Sequence, residues 1–293
     1  MSSAAVDDPR GPWRDALRHI ASDRRALLAA LVLGLVGLVA LLAPLVAPYD
    51  PAAIPDMVGM KALPPSPEHP FGTDGYSRDV LSRVIHGARV SLGLSFLAVV
   101  LSSVVGTAYG AVAGWFGGAL DAVLMRTVDA FMSIPRVLLL VAVAALWGQL
   151  PVAGLVLLLG FTSWFGVARL VRSEVRALRE REFVVAARAL GVPNRRLLWR
   201  HTLPHALGPV LVAATLGVGD LIVIEAGLSF LGLGVAPPAA SWGSVIQDGV
   251  ENVARWWWIS MFPGIALVTT VLAVNVLADG LREALDPRQL PGR

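Results

Sequence analysis

No cysteine occurs anywhere in the chain, which excludes a disulfide framework and a thiolate metal site and leaves the redox compartment unmarked by this residue type. Lysine is almost as scarce. Lys61, in the stretch GMKAL, is the single lysine among 24 lysines and arginines. A phosphate-binding loop of the form G-x-x-x-x-G-K-[ST] cannot be built around it, so the chain has no such means of holding ATP. The arginine bias is explained by genome composition, and no nucleic-acid partner is expected. Charge of either sign is thin, at 15% of residues, against 56% hydrophobic residues and a mean hydropathy of +0.68. Those values lie outside the range of soluble domains and place the chain in a bilayer. A paired-aspartate motif, a Ser/His constellation and HExxH are all missing, which argues against a membrane-embedded enzyme. No catalytic residue is assigned, and the chain is not expected to be an enzyme.

What is present is a series of long apolar runs. Residues 26–48 carry no charge and have the length of a spanning helix, since a helix rises about 1.5 Å per residue and the hydrocarbon core is about 30 Å thick. Arg10, Arg14, Arg18, Arg24 and Arg25 precede this run, and no small-residue cleavage site follows it, so it reads as an uncleaved first span behind a tail over residues 1–25. Further charge-free runs cover 90–120, 137–168 and 256–278, while 207–235 is interrupted only by Asp220 and Glu225. The run over 137–168 is long for one span. Gly148 to Pro151 reads as a turn followed by a proline at a helix start, and two spans fit if the first begins near Arg126 or Asp129.

Charge decides the count. Arg169, Arg172, Arg176, Arg179, Arg181, Arg188, Arg195, Arg196 and Arg200 follow that run, and short cytoplasmic loops are rich in Lys and Arg. The basic N-terminal tail is then cytoplasmic as well, and an even number of spans must separate the two. The expected architecture is therefore an all-α polytopic membrane protein of six transmembrane helices. Residues 49–89 form an extracytoplasmic segment, 90–288 hold the remaining spans with the basic loop at 172–204, and 289–293 form a C-terminal tail. Both termini are expected in the cytoplasm.

The basic loop contains VVAARALGVPNRRLLWRHTLP, from Val184 to Pro204. Residues 173–190 predict a helix, Gly191 a left-handed stop, and Asn194 the cap of a second short helix running toward Pro204. On charge alone this could be a solvated segment on anionic headgroups. Ala186, Ala187 and Gly191 argue otherwise, because small side chains let another surface approach the backbone.

The pattern A-A-x-x-x-G, then nine residues, a hydrophobic position, any residue and L-P resembles the cytoplasmic EAA loop of ABC importer permeases. Ala186, Ala187, Gly191, Leu203 and Pro204 fall at its positions. Val185 stands where that family has a glutamate, with Glu182 one turn earlier as the substitute acid, and His201 stands at the hydrophobic position. HPFGTDGYSRDVLSRVIHGARVSL, EAGLSFLGLGVAPPAASWGSVI and FPGIALVTTVLAVNVLADGLREALDPR are similar to segments of the dipeptide, oligopeptide and nickel permeases, with Ser77 in place of a glycine. The long tail before the first helix resembles the second permease subunit of such systems. The resemblance implies a type I importer fold and one half of a heterodimeric channel in the cell membrane. It also implies one or two ATPase subunits that carry the ATP and magnesium, and an extracytoplasmic peptide-binding protein. The coupling loop would dock on the ATPase through Glu182, Ala186, Ala187, Gly191, Arg195, Arg196, Leu203 and Pro204. No cofactor is expected in this chain. Peptides are the first substrate class, with nickel or another solute as the alternative, and an ion-coupled carrier as a third.

Other residues divide between function and packing. Asp220 and Glu225 lie within the fifth span, where carboxylates usually face a bundle interior, a cavity or a partner. They are the candidates for a translocation path or gate, with local hydrogen bonding as the alternative for Glu225. Arg78, Asp79, Arg83, His86 and Arg89 alternate with apolar residues and predict an amphipathic helix at the outer interface, packed on a span or facing the binding protein. His201 and His205 are four apart, but Pro204 stands between them and no metal site is expected. Trp256, Trp257 and Trp258 predict an interfacial anchor. Asn275 and Asp279 are candidates for an inner polar contact.

Overall fold

The structure is a computed structural model that describes residues 20–56, 59–148 and 150–285. Most of the expected N-terminal tail and all of the C-terminal tail lie outside them. Among the described residues the regular elements are helices: α1 (Arg24–Leu41), α2 (Ala43–Val46), α3 (Val80–Phe116), α4 (Gly118–Met132), α5 (Arg136–Trp147) and α6 (Val152–Arg179). They continue as α7 (Glu182–Ala189), α8 (Asn194–Arg196), a π-helical turn (Leu197–Thr202), α9 (Leu203–Phe230), α10 (Trp242–Val250) and α11 (Trp257–Leu285).

Five helical runs are long and apolar enough to cross a bilayer: α1, α3, α6, the unbroken run Asn194–Phe230, and α11. The pair α4 and α5 meets the test jointly and bends by 74°, which completes six. The expected hairpin is thus present, but its first limb is broken and starts earlier than the sequence suggests. Gly117 and Gly118, both at positive φ, end α3 and start α4. Pro135 then stops the limb, because it lacks an N–H and drives its neighbour out of helical geometry. The first span breaks in the same way at Leu42, with Pro44 opening α2.

Residues 78–89 do not form a separate interfacial helix. Residues 80–89 are the first turns of α3, whose 37 residues extend about 55 Å. Asp79 caps it by accepting from the backbone N–H of Ser82 at 2.7 Å. The apolar side of this first stretch, Val80, Val84 and Ala88, packs with Ile222, Trp242, Trp258 and Ile259. Trp258 is buried and donates its indole N–H to the Thr73 carbonyl at 3.1 Å, so it belongs to this core rather than to an interfacial belt; Trp257 is exposed.

The centre of the fold is the contact of α3 with α6. Gly106, Gly110 and Gly114 line one side of α3, and a Cβ added at these positions would stand 2.7 Å, 2.3 Å and 2.6 Å from the carbonyl oxygens of Trp164, Ala168 and Arg172. Backbones approach this closely only where side chains are absent, and small residues four apart are a common device for packing helices in lipid.

Candidate functional site

Four residues build the base of the two-helix element that follows α6. Val184 on α7, Leu197 and Leu198 in the π turn, and Leu203 at the start of α9 are buried with Trp115 of α3 and Val171 and Val175 of α6. This seat fixes α7 against the end of the bundle. Two arginines reinforce it: Arg179 donates to the Trp115 carbonyl at 2.8 Å, and the Arg188 guanidinium lies 5.4 Å from the Trp115 ring centre. Arg172 makes a two-pronged pair with Asp121, at 2.5 Å for each bond, and Arg169 pairs with Asp129. A good part of the positive charge that marks this end is therefore structural.

The outward side of α7 and its C-terminal cap carries apolar residues beside the exposed Glu182 and Arg188. Val185 is 52% and Leu190 86% exposed, with Ala186 exposed beside them. The expected single helix over 173–190 is interrupted at Glu180 and Arg181, so α7 stands as a separate arm. It ends in a hydrogen-bonded stop in which the N–H of Gly191 donates to the Arg188 carbonyl at 3.0 Å and that of Val192 to the Ala187 carbonyl at 3.2 Å. Gly191 has φ +84°, and no atom outside its neighbours lies within 4 Å of where its Cβ would be. Its glycine is required by the backbone turn; within this chain nothing approaches it closely. Glu182 is exposed in the first turn of α7, Ala187 is half-buried, and Arg195 and Arg196 are exposed with no ion pair among the described residues.

Asn194 does not cap an independent short helix. The segment from Asn194 passes through the π turn into α9 without a break. Pro204 supplies the reason: it cannot donate to the carbonyl four residues back and its ring crowds that group, and the wider π turn absorbs the mismatch. The Leu203 N–H accordingly donates to Leu198, five residues back. Phe183 of the first arm meets His205 of the second edge-on at 5.5 Å, tying the arms together.

The two carboxylates of α9 have different surroundings. Asp220 is exposed on the bundle and its Oδ2 accepts from Arg136 Nη1 at 3.0 Å, while Arg136 Nη2 donates to Ser163 Oγ at 2.7 Å. This joins the first residue of α5, at the break in the third span, to α6 and α9. Sequence reasoning missed Arg136, although an arginine directly after a proline inside an apolar limb is a visible signal. Glu225 is 1% exposed and accepts from Ser229 Oγ at 2.6 Å and Ser91 Oγ at 3.0 Å. Ser91 Oγ in turn accepts from the Trp242 N–H at 3.2 Å, and Ser241 donates to Ser229 at 3.1 Å. The cluster clamps the start of α10 onto α3 and α9.

At the end of the bundle opposite the arms, polar residues are turned inward. Asp74 is fully buried and accepts from Arg78 Nε at 2.7 Å and Arg83 Nη1 at 2.5 Å, and the same arginines reach Asp248 of α10 at 2.9 Å and 2.6 Å. His69 Nδ1 lies 2.8 Å from Asp79 Oδ1. Of the two alternatives for this polar face, Arg78, Asp79 and Arg83 follow packing, while Arg89, further along α3, is exposed. Ser77 takes φ +66°, which accounts for the glycine expected at that position.

A six-span helical bundle with a two-armed element at one end defines a polytopic membrane protein. The chain belongs to the family of binding-protein-dependent transport system inner membrane components, which its residues 106–290 match. Residues 11–65 match the N-terminal transmembrane domain of oligopeptide transport permease C. The dipeptide transport system permease protein DppC of Alkalihalophilus pseudofirmus is 37% identical over 278 residues, covering 94% of this chain and 90% of that protein. A putative peptide transport system permease protein of Brucella suis is 42% identical over 287 residues, covering 98% and 96%. Among solved structures, the MetNI methionine ABC transporter in an inward-facing form matches with a TM-score of 0.58 at 19% identity, over 70% of this chain and 96% of that one, a likeness of fold.

Proposed function

We propose that the chain is one of two permease subunits of an ATP-driven importer of short peptides. The exposed apolar face of α7, held on a buried base and followed by the Gly191 turn, is the observation that carries this reading. An isolated membrane protein gains nothing by presenting Val185, Ala186 and Leu190 to water, whereas an ATPase subunit with a matching cleft would bury them. With valine at position 185, docking relies on apolar contact more than on an acidic one. ATP and magnesium belong to the partner ATPases, and the arm transmits their movement. The peptide class is supported by the relatives named as dipeptide and peptide permeases.

In this reading the arms and both termini face the cytoplasm of a cell whose inner membrane the protein spans. The Asp74 and Asp248 end faces outward, toward a peptide-binding protein. A second permease covers the α3 and α9 face that carries Asp220, and Glu225 holds α10 in place. Asp220 is already paired with Arg136, which disfavours an ion-coupled carrier built on a free carboxylate.

The test is capture of partners from native membrane by the tagged chain and by Gly191→Val, combined with uptake of labelled peptide. Wild type should bring down ATPases and a second permease, and the variant should lose the ATPases and the uptake. Uptake that persists without ATP would overturn the proposal. Orientation is accessible because the chain is naturally free of cysteine: Tyr76→Cys should react with an impermeant maleimide from outside, and Leu190→Cys only after permeabilisation.

A further inference from the structure

The pair of Arg136 with Asp220 leaves one edge of the guanidinium incompletely used. Nη1 is taken by Asp220 and Nη2 by Ser163, while the buried Nε–H has no partner among the described residues. The Ser103 hydroxyl is likewise buried and without a partner. Both residues line one cavity of about 200 Å³ between α3, α5, α6 and α9, together with Asp220 and Ser163. A buried donor left unpaired costs about 1–3 kcal/mol, so two donors on one cavity are a feature to be explained by what the cavity receives.

The donor set selects a chemistry. The Nε and Nη2 hydrogens of a guanidinium lie side by side and match the two oxygens of a carboxylate, and a hydroxyl beside them adds a third donor. Asp220, bonded to Nη1, holds the guanidinium from its far side and leaves Nε–H without a partner on the other edge. Nη2 bears two hydrogens, so its bond to Ser163 Oγ leaves one for a carboxylate oxygen. The cavity is smaller than the roughly 300–1,000 Å³ that accommodates a whole small ligand, so it suits an end group. It shares Val99, Ser103 and Ala214 with a larger apolar groove between α1, α3 and α9, along which the rest of an extended chain would lie.

We propose that this cavity is a subsite for the C-terminal carboxylate of the transported peptide, with Arg136 and Ser103 donating to it. The proposal rests on the peptide-import reading above. It makes recognition independent of side chains, because every unmodified peptide carries this group. It also places the contact at the hinge between α4 and α5, so that occupancy bears directly on the break in the third span.

The experiment uses the complete complex in proteoliposomes. Binding protein is loaded to saturation with a mixed tripeptide library or with the same library amidated at the C-terminus, and uptake is measured per loaded molecule in a single turnover. Wild type should import free acids at least tenfold faster than amides. Arg136→Lys, which keeps the charge and loses the fork, should abolish that preference by slowing the acids alone. Ser103→Ala leaves the Arg136–Asp220 pair in place and should slow acids three- to tenfold with no effect on amides; it decides the matter if the arginine variant fails to assemble. Equal import of acids and amides by wild type, or equal slowing of both by the variants, would overturn the subsite while leaving peptide import standing. Failure of wild type to import any peptide would overturn the reading of function and the subsite with it.

Discussion

Arg136 and Asp220, 84 positions apart in sequence, meet at 3.0 Å and tie the broken third span to the fifth. Charge reversal at either position alone should weaken assembly of the permease by placing two like charges together at membrane depth. The double reversal, Arg136→Asp with Asp220→Arg, should recover at least half of the loss, since contacting charges couple by about 0.5–3 kcal/mol. Detergent-resistant assembly, read by size-exclusion chromatography, checks this. Additive losses in the double variant would mean that the pair does not hold the spans together.

The α3–α6 contact should tolerate no side chain at its tightest point. Gly110→Ala puts a methyl 2.3 Å from a backbone oxygen that cannot rotate away, and overpacking of this kind costs about 1–3 kcal/mol. The midpoint of thermal unfolding in detergent should fall, and Gly110→Leu should prevent accumulation of the protein in the membrane. Gly93→Ala, on the same helix with nothing within 4 Å, is the control and should unfold as wild type does.

Ser77→Gly should raise stability. The serine is buried at φ +66° with its hydroxyl unpaired, a conformation costing a side-chain-bearing residue about 1–2 kcal/mol. Glycine returns part of that gain through its greater freedom when unfolded, about 0.5–1 kcal/mol, so the net increase should be about 1 kcal/mol. A lower unfolding midpoint in the variant would show that the turn does not carry this strain.

Leu190→Asp separates docking from folding. The side chain is 86% exposed, so its loss should change stability by no more than about 0.5 kcal/mol. Capture of the ATPases should fall at least tenfold while assembly with the second permease is retained. Unchanged capture would place the docking face elsewhere on the arm.

The number of spans, the turn at Gly148 and the left-handed stop at Gly191 were legible because each follows from local chemistry: apolar length, a glycine–proline pair and helix capping. The break at Pro135 was less so, since a proline in an apolar limb ends a helix without saying at what angle the chain resumes. Long-range partners were not legible at all. Arg83 reads as one charge of an amphipathic helix, and only folding brings Asp74 and Asp248 to it. The same holds for Glu225, whose serine partners come from α3, α9 and the residue capping α10. Gly106, Gly110 and Gly114 form a four-residue repeat in the sequence, but a repeat of small residues inside an apolar run does not say which helix packs on it.

The unbroken passage from Asn194 through the π turn into α9 has a mechanical consequence. Arg196 and Asp220 lie on one continuous rod, about 36 Å apart at the rise of a helix. A partner that tilts the short end of this rod at the membrane surface swings the far end sideways within the bilayer, and the charge carried there moves with it. In the proposed importer, the stroke of an ATPase would arrive inside the bundle as displacement of a carboxylate, along a helical run with no break between the handle and the point.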